Sequence, residues 1–205
     1  MFIEQPPFFF RMLFPGACWR IDKSRKQVYL TFDDGPIPEV TPWVLDVLDS
    51  YQIKACFFCV GDNVKKYPDI YRMIIDRGHQ VGNHTYSHLH GWMLSAEKYQ
   101  RNVDEADTLI GSRLFRPPHG HLPMKCFFQL KATYKVIMWD VVTRDYSKRM
   151  TAKGVFNVVR RYTRPGSIIV FHDSMRSWSR LQTALPKSIE WLKAQGYSFG
   201  RIDDE

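Results

Sequence analysis

Val28-Tyr29-Leu30-Thr31-Phe32-Asp33-Asp34-Gly35 is an apolar, aromatic and β-branched run that stops abruptly at two adjacent carboxylates and a glycine. The run reads as a buried strand over 28–32. Two like charges side by side at the end of such a strand repel each other, so the pair calls for a compensating cation. His84 and His88, in Asn83-His84-Thr85-Tyr86-Ser87-His88, complete the means of holding one. Two imidazoles and one carboxylate bind a divalent ion while leaving positions open, and a spare carboxylate can take a proton from water there. The four-residue spacing of the histidines reads as two imidazoles on one side of a helical turn.

Outward from this strand, short β-rich runs alternate with helical patterns. Further strands are expected at 55–60, 80–83, 112–115, 135–139, 167–171 and 197–202. Helices with apolar residues at three-to-four spacing are expected at 40–51, 67–76, 96–110, 124–131, 152–162 and 185–194, with Gly78, Gly111 and Gly196 at C-caps. A strand-then-helix order demands parallel strands joined by crossover helices. The seven expected strands therefore point to a single α/β domain of the βα-barrel kind, with an open doubly wound sheet as the alternative. Either architecture gathers its site at the C-terminal ends of the strands.

The polar residues follow that rule. Asp33 and Asp34 end the first strand, His84 and His88 follow the third, Arg116 the fourth, Asp145 the fifth, and His172 the sixth. In Phe115-Arg116-Pro117-Pro118-His119-Gly120 the two prolines stiffen the backbone and the glycine permits a tight turn. That segment can aim Arg116 at the base carboxylate and the His119 N–H at a developing oxyanion. His172, closing the apolar run Ile168-Ile169-Val170-Phe171, is suited to protonating a leaving group if Asp145 supports its charged form.

The bulk composition sets the limits. A chain of 205 residues with 44% hydrophobic content buries one sizeable core. The net charge of +8 and pI near 9.3 suit an anionic partner or a soluble enzyme that is merely basic. Nucleic acid is discounted, because only charge and clusters such as Arg160-Arg161 favour it. Cys18, Cys56, Cys59 and Cys126 lack disulfide-framework spacing and read as reduced, the Cys56-Phe57-Phe58-Cys59 run being a buried strand with its thiols on opposite faces. No signal peptide or membrane span is recognisable, which favours a cytoplasmic or peripherally membrane-associated protein. Residues 1–26 form an aromatic and basic N-terminal segment, expected to pack on the barrel or on a membrane surface, ahead of a catalytic domain over 27–205.

Taken together, these segments resemble the polysaccharide deacetylase family, the NodB homology domain of carbohydrate esterase family 4, from about Gln27 to Ile202. The family's Thr-Phe-Asp-Asp-Gly stands intact at 31–35 and its His-(Ser/Thr)-x-x-His at 84–88. The resemblance implies a distorted (β/α)7 barrel, with Asp33 as base and Asp34, His84 and His88 as ligands of one divalent metal ion, Zn2+ or else Co2+ or Ni2+. It implies further that Arg116 orients Asp33, that Asp145 tunes His172, and that the 119 amide lines an oxyanion hole. Three positions depart from the family pattern: His119 for tyrosine, Val142 for aspartate, and Tyr146 for the tryptophan beneath the acyl pocket.

The activity so implied is hydrolysis of an N-acyl amino sugar in a polysaccharide, oligosaccharide or glycolipid. O-deacetylation of a polymer such as acetylated xylan uses the same groups and is the alternative. A non-haem iron oxygenase also uses two histidines and a carboxylate, but leaves the second aspartate and the His172–Asp145 pair without a task. A glycan-binding or membrane-associated module with a structural metal is the non-enzymatic alternative. The sequence fixes no oligomeric state.

Overall fold

The computed structural model describes residues 4–91 and 94–202. Its centre is β1 (Gln27–Asp33), buried from Val28 to Asp33 because it lies between two parallel neighbours and under helices on its outer face. The strands that follow are β2 (Cys56–Cys59), β3 (Gln80–Asn83), β4 (Leu114–Phe115), β5 (Lys135–Val136), β6 (Val141–Val142), β7 (Ile168–His172) and β8 (Ser198–Phe199). They form one parallel sheet in the order β5-β4-β3-β2-β1-β7-β6, with β8 added beside the start of β1. The sheet curls into the seven-stranded distorted barrel expected from the strand–helix alternation.

Alternate residues of β1 face opposite layers, as the period of two requires. Val28, Leu30 and Phe32 join the large outer core with the helices, whereas Tyr29 joins the barrel interior with Cys56, Phe58, Leu114, Ile137 and Ile168. Cys56 and Cys59 fall on these two different sides and are free thiols. The outer layer comprises α2 (Thr41–Ser50), α3 (Gly61–Lys66), α4 (Pro68–Asp76), α5 (Ala96–Ile110), α6 (Met124–Leu130), α7 (Ala152–Tyr162) and α8 (Trp178–Ala194). Local chemistry sets several ends: the Ser95 and Thr151 hydroxyls accept from the Lys98 and Gly154 amides, and Gly111 closes α5 in the left-handed conformation.

Four expectations are corrected. The strand expected at 135–139 stops at Val136, and a separate strand, β6, forms at Val141–Val142, so Asp145 follows the sixth strand and His172 ends the seventh. The cause is Asp140: its buried carboxylate collects Arg11, Arg20, Arg164 and Ser167, which pulls the chain out of the β5 line. The last helix begins at Trp178 and carries Pro186 inside it, so proline was not the boundary it usually marks. The last strand, expected at 197–202, is limited to Ser198–Phe199. Two short helices, α1 (Phe8–Met12) and α3, were not expected at all.

The barrel has a seam, since β5 and β6 are the two ends of the sheet order. Residues 4–20 lie across it. Cys18 bridges Ile137, Arg20 bridges Ser167, and the Glu4 carbonyl accepts from Val142 N–H. Phe10, Phe14 and Trp19 pack edge-on and tilted against one another, and against Phe127 and Trp139. Among the described residues, no helix is long and apolar enough to cross a membrane.

Asp140 is fully buried, and its arginines keep partial contact with solvent. Asp140→Ala leaves several cations without their partner, and its expected cost is at the lower end of the roughly 3–5 kcal/mol for breaking a buried ion pair. Urea unfolding checks this; a stability change within about 0.5 kcal/mol, the range of an ordinary surface substitution, removes Asp140 as the seam's anchor.

Candidate active site

Strand register places the first two groups. Asp33 is the partner of His172 across β1 and β7 and of Phe58 across β1 and β2, so the two catalytic candidates end neighbouring strands at one level. The chain turns sharply at Asp34, which takes a positive φ of 86°. That is an uncommon conformation for a non-glycine residue, and here it is held from several sides. Asn63 donates to the Asp34 carbonyl at 2.7 Å, and Asp173 accepts from the Gly35 N–H at 3.0 Å and the Thr41 hydroxyl at 2.6 Å. A Cβ on residue 35 would lie 1.9 Å from an Asp173 oxygen, which is why the motif ends in glycine.

His84 follows β3 and is anchored through its Nδ1 to the Arg116 carbonyl at 2.8 Å, which fixes the ring and leaves Nε2 toward Asp34 at 3.9 Å. His88 Nε2 lies 3.1 Å from the same Asp34 oxygen. The segment between them is a loop, correcting the expected helical turn: Thr85 and His88 have positive φ, and amides of α3 hold the Thr85 and Tyr86 carbonyls. The Asn102 side chain of α5 accepts from Tyr86 and Ser87. One ligand atom from each of Asp34, His84 and His88 lies within 4.8 Å of the other two.

The charges suit a cation there. Burial works against a charged Asp34, yet the His88 hydrogen bond and surrounding imidazoles hold its carboxyl well below the usual carboxylate range. Burial pushes His84 down to about 4, so its imidazole is neutral at physiological pH, the form in which histidine is a ligand. Two imidazoles, that of His84 neutral, and an ionised carboxylate fit a divalent ion of borderline softness such as Zn2+.

Arg116 is fully buried within the barrel. It donates to Asp33 at 2.7 Å, to Thr31 Oγ1 at 2.8 Å, and to the carbonyls of Met138 and Ile137 at 2.9 and 3.3 Å, and its guanidinium lies 4.1 Å from the Phe58 ring centroid. At the end of β7, beside Asp33, the Asp145 carboxylate grips His172 twice, at Nδ1 (2.7 Å) and at the backbone N–H (2.8 Å). Burial disfavours the His172 cation, but Asp145, with Asp34 and Asp33 nearby, pushes its pKa up to about 9. Tyr146 stands edge-on to His172 with ring centroids 4.8 Å apart.

His119 sits at a positive φ of 59° in the stiff Pro118–Gly120 turn. Its ring lies edge-on to His88 at 4.6 Å and stacks on His90 at 3.7 Å. Burial, then His88 and His90, hold it down to about 3, so it stands as a neutral imidazole at the mouth of the site.

The fold thus brings together all nine residues singled out from the sequence. Reading the sequence missed the supports: Thr31, Asn63, Asn102, Asp173 and Arg180, whose Nε holds the Asp145 carbonyl at 2.6 Å. Thr31 stood inside the Thr-Phe-Asp-Asp-Gly motif and Asp173 next to His172, without a role assigned to either, whereas Asn63, Asn102 and Arg180 carried no local signal.

The polysaccharide deacetylase family model matches residues 20–135, more than half of the chain. The chain belongs to the polysaccharide deacetylase family. It is similar to a peptidoglycan-N-acetylglucosamine deacetylase of Bacillus cereus, at 32% identity over 194 residues covering 91% of each chain. Among solved structures it is similar to the Bc1960 peptidoglycan N-acetylglucosamine deacetylase in complex with 4-naphthalen-1-yl-N-oxidanyl-benzamide, with a TM-score of 0.89 and 29% identity over 97% of this chain and 96% of that one. It is also similar to BA3943 of Bacillus anthracis, described as a pseudoenzyme of carbohydrate esterase family 4, with a TM-score of 0.83 and 29% identity over 97% and 72% of the two chains.

Arg116→Met leaves Asp33 with a missing counter-charge in a buried setting, and a loss of about 3–5 kcal/mol in unfolding free energy is expected. Arg116→Lys restores charge but not the planar fork, so stability should recover more than acetate release. Equal recovery of both would mean that the arginine does not orient Asp33.

Proposed function

We propose that this member of the family is a metal-dependent N-deacetylase acting on N-acetylhexosamine units of a glycan, with peptidoglycan N-acetylglucosamine as the first substrate to test. The observation that carries this reading is the presence of two paired groups, Asp33–Arg116 and His172–Asp145, at the strand ends beside the Asp34–His84–His88 cluster. The Bacillus cereus relative and the solved Bc1960 enzyme supply the substrate class. A pseudoenzyme with the same fold makes the residues, more than the fold, the argument for activity. Base, ligands, acid and both orienting groups are all present here.

Asp34, His84 and His88 would hold the ion; when bound, it supplies Lewis-acid polarisation of the acyl carbonyl and lowers the pKa of water beside it. The remaining work belongs to the chain. Asp33, held by Arg116, whose guanidinium is itself fixed by Thr31, takes the proton of the attacking water. The oxyanion that forms on the acyl oxygen is met by the His119 N–H, fixed by the two prolines before it. His172 carries a proton at neutral pH and delivers it to the departing amine, while Asp145 stabilises the charged ring. Tyr146, beside His172, forms part of the wall around the acyl group.

Asp33→Asn and His172→Ala should each lower acetate release from N-acetylglucosamine oligomers by roughly 10²- to 10⁴-fold without loss of fold, as expected for removal of a general base or acid. Wild-type rates in either variant would refute the assignment. Chelator treatment should abolish activity and Zn2+, Co2+ or Ni2+ restore it, and Asp34→Asn should reduce bound metal measured by mass spectrometry.

The sign of the pH dependence follows from the raised pKa of His172. The ring stays protonated through neutral pH and loses its proton only as pH climbs past about 9, so kcat/KM should fall on that alkaline limb. Asp145→Asn should move the limb toward neutral pH, because the carboxylate that favours the cation is gone. A limb that stays in place takes the acid role away from His172.

A further inference from the structure

The N-terminal helix α1 is amphipathic in an unusual way. Phe10 and, just beyond the helix, Phe14 turn inward to Trp19 and Phe127, but Phe8, Phe9, Met12 and Leu13 are 78%, 65%, 63% and 53% exposed. Four large apolar side chains clustered within six residues exceed the scattered surface leucines of an ordinary domain. Phe128 on α6, next to the Phe127 that packs on Phe14, is also exposed.

The foot of this apolar surface is positively charged. Arg11, Arg20 and Arg164 all face the Asp140 carboxylate, three positive charges to one negative. Arg11 and Arg164 also line a cleft of about 350 Å³ with Gln5, Pro6, Pro7 and Phe8. Arg160 and Arg161 lie in the last turn of α7, whose Tyr162 carbonyl accepts from Gln5. An exposed aromatic tip above arginines, on a chain of net charge +8, is complementary to a surface that is apolar inside and anionic at its face.

We propose that α1 and the turn after it form a peripheral docking surface for an anionic phospholipid bilayer. Phe8, Phe9, Met12 and Leu13 enter the acyl–headgroup boundary, and the Arg11–Arg164 cleft receives a headgroup phosphate. The segment is short and monotopic, and none of its residues belongs to the site, so docking is independent of which sugar is hydrolysed. Upstream of α1, Glu4 pairs with Arg144 beside Asp145.

The test is sedimentation of the full chain with vesicles of phosphatidylglycerol and phosphatidylcholine in equal parts, against pure phosphatidylcholine, at low and high salt. Binding to the anionic vesicles, weakened by salt, is expected. The triple variant Phe8→Ser, Phe9→Ser, Met12→Ser should partition at least about tenfold less. Its thermal melting and its acetate release from soluble N-acetylglucosamine oligomers should match the parent's, which separates this result from failure of the proposed chemistry. Absence of binding to anionic vesicles, equal binding to both vesicle types, or undiminished binding of the triple variant would overturn the proposal. So would a concentration-dependent dimer that the triple variant abolishes without any vesicle binding, since the patch would then belong to a second copy of the chain.

Discussion

A fully buried guanidinium is the constraint on which the rest of the site depends. Arg116 cannot lie inside the barrel unless its donors find acceptors, because an unpaired charge there is among the costliest things a fold can bury. The acceptors come from two directions: the inward row of β1, through Thr31 and Asp33, and the chain after β5, through Ile137 and Met138. Its own backbone does the rest, donating to Asn83 and accepting from His84. One residue therefore aligns Asp33, the proposed base, and His84, a candidate metal ligand, from opposite ends of itself. The two halves of the site keep a fixed separation because they share an anchor.

Around that anchor the protonation states diverge in a way that burial alone does not produce. Burial disfavours charge on Asp34, His84 and His172 alike, yet the outcomes differ because each has different neighbours. Asp34 remains ionised among imidazoles, His84 is neutral, and His172 is held as a cation by a carboxylate that grips it at two points. Asp173 is the contrasting carboxyl: burial pushes it up to about 8, and it serves the Gly35 turn and Thr41 instead of the reaction. Environments that push like groups apart are what the proposed chemistry requires of one rim, a base and an acid at one pH.

Much of this was legible in the sequence, and the physical reasons are specific. Buried parallel strands are near-continuous apolar runs, so β1, β2 and β7 announced themselves, and the rule that sites sit at strand C-termini gathered Asp33, His84, Arg116 and His172. Periodicity could not see the break between β5 and β6, because Met138 is buried like a strand residue while Asp140 turns the chain through ion pairs to residues far away in sequence. The pairing of His84 with His88 was right in its consequence and wrong in its cause. A spacing of four suggests a helix, but here two left-handed residues and a clasp from Asn102 bring the rings together. Supports such as Asn63 and Arg180 are invisible until the chain is folded, since an asparagine or arginine on a helix end looks like any solvated side chain.

The seam gives the N-terminal segment more than a covering role. The match to the family model begins at residue 20, whereas the hydrogen bonds that bridge the barrel's open edge come from residues 4–20. The edge strand they complete is β6, and the loop leaving β6 carries Asp145. Glu4 holds both, the strand by its carbonyl at Val142 and the loop by its carboxylate at Arg144, whose backbone is left-handed. Such a conformation persists only where its surroundings over-determine it. The Asp145–His172 pair, the proposed acid side, is thus built from the seam inward, while the Asp33–Arg116 pair, the proposed base side, is built from the barrel interior outward. The N-terminal segment touches both sides: Glu4 holds Arg144 beside Asp145, and Cys18 pairs with the Ile137–Met138 stretch whose carbonyls accept from Arg116, so a disturbance there reaches both proposed proton-transfer groups at one remove.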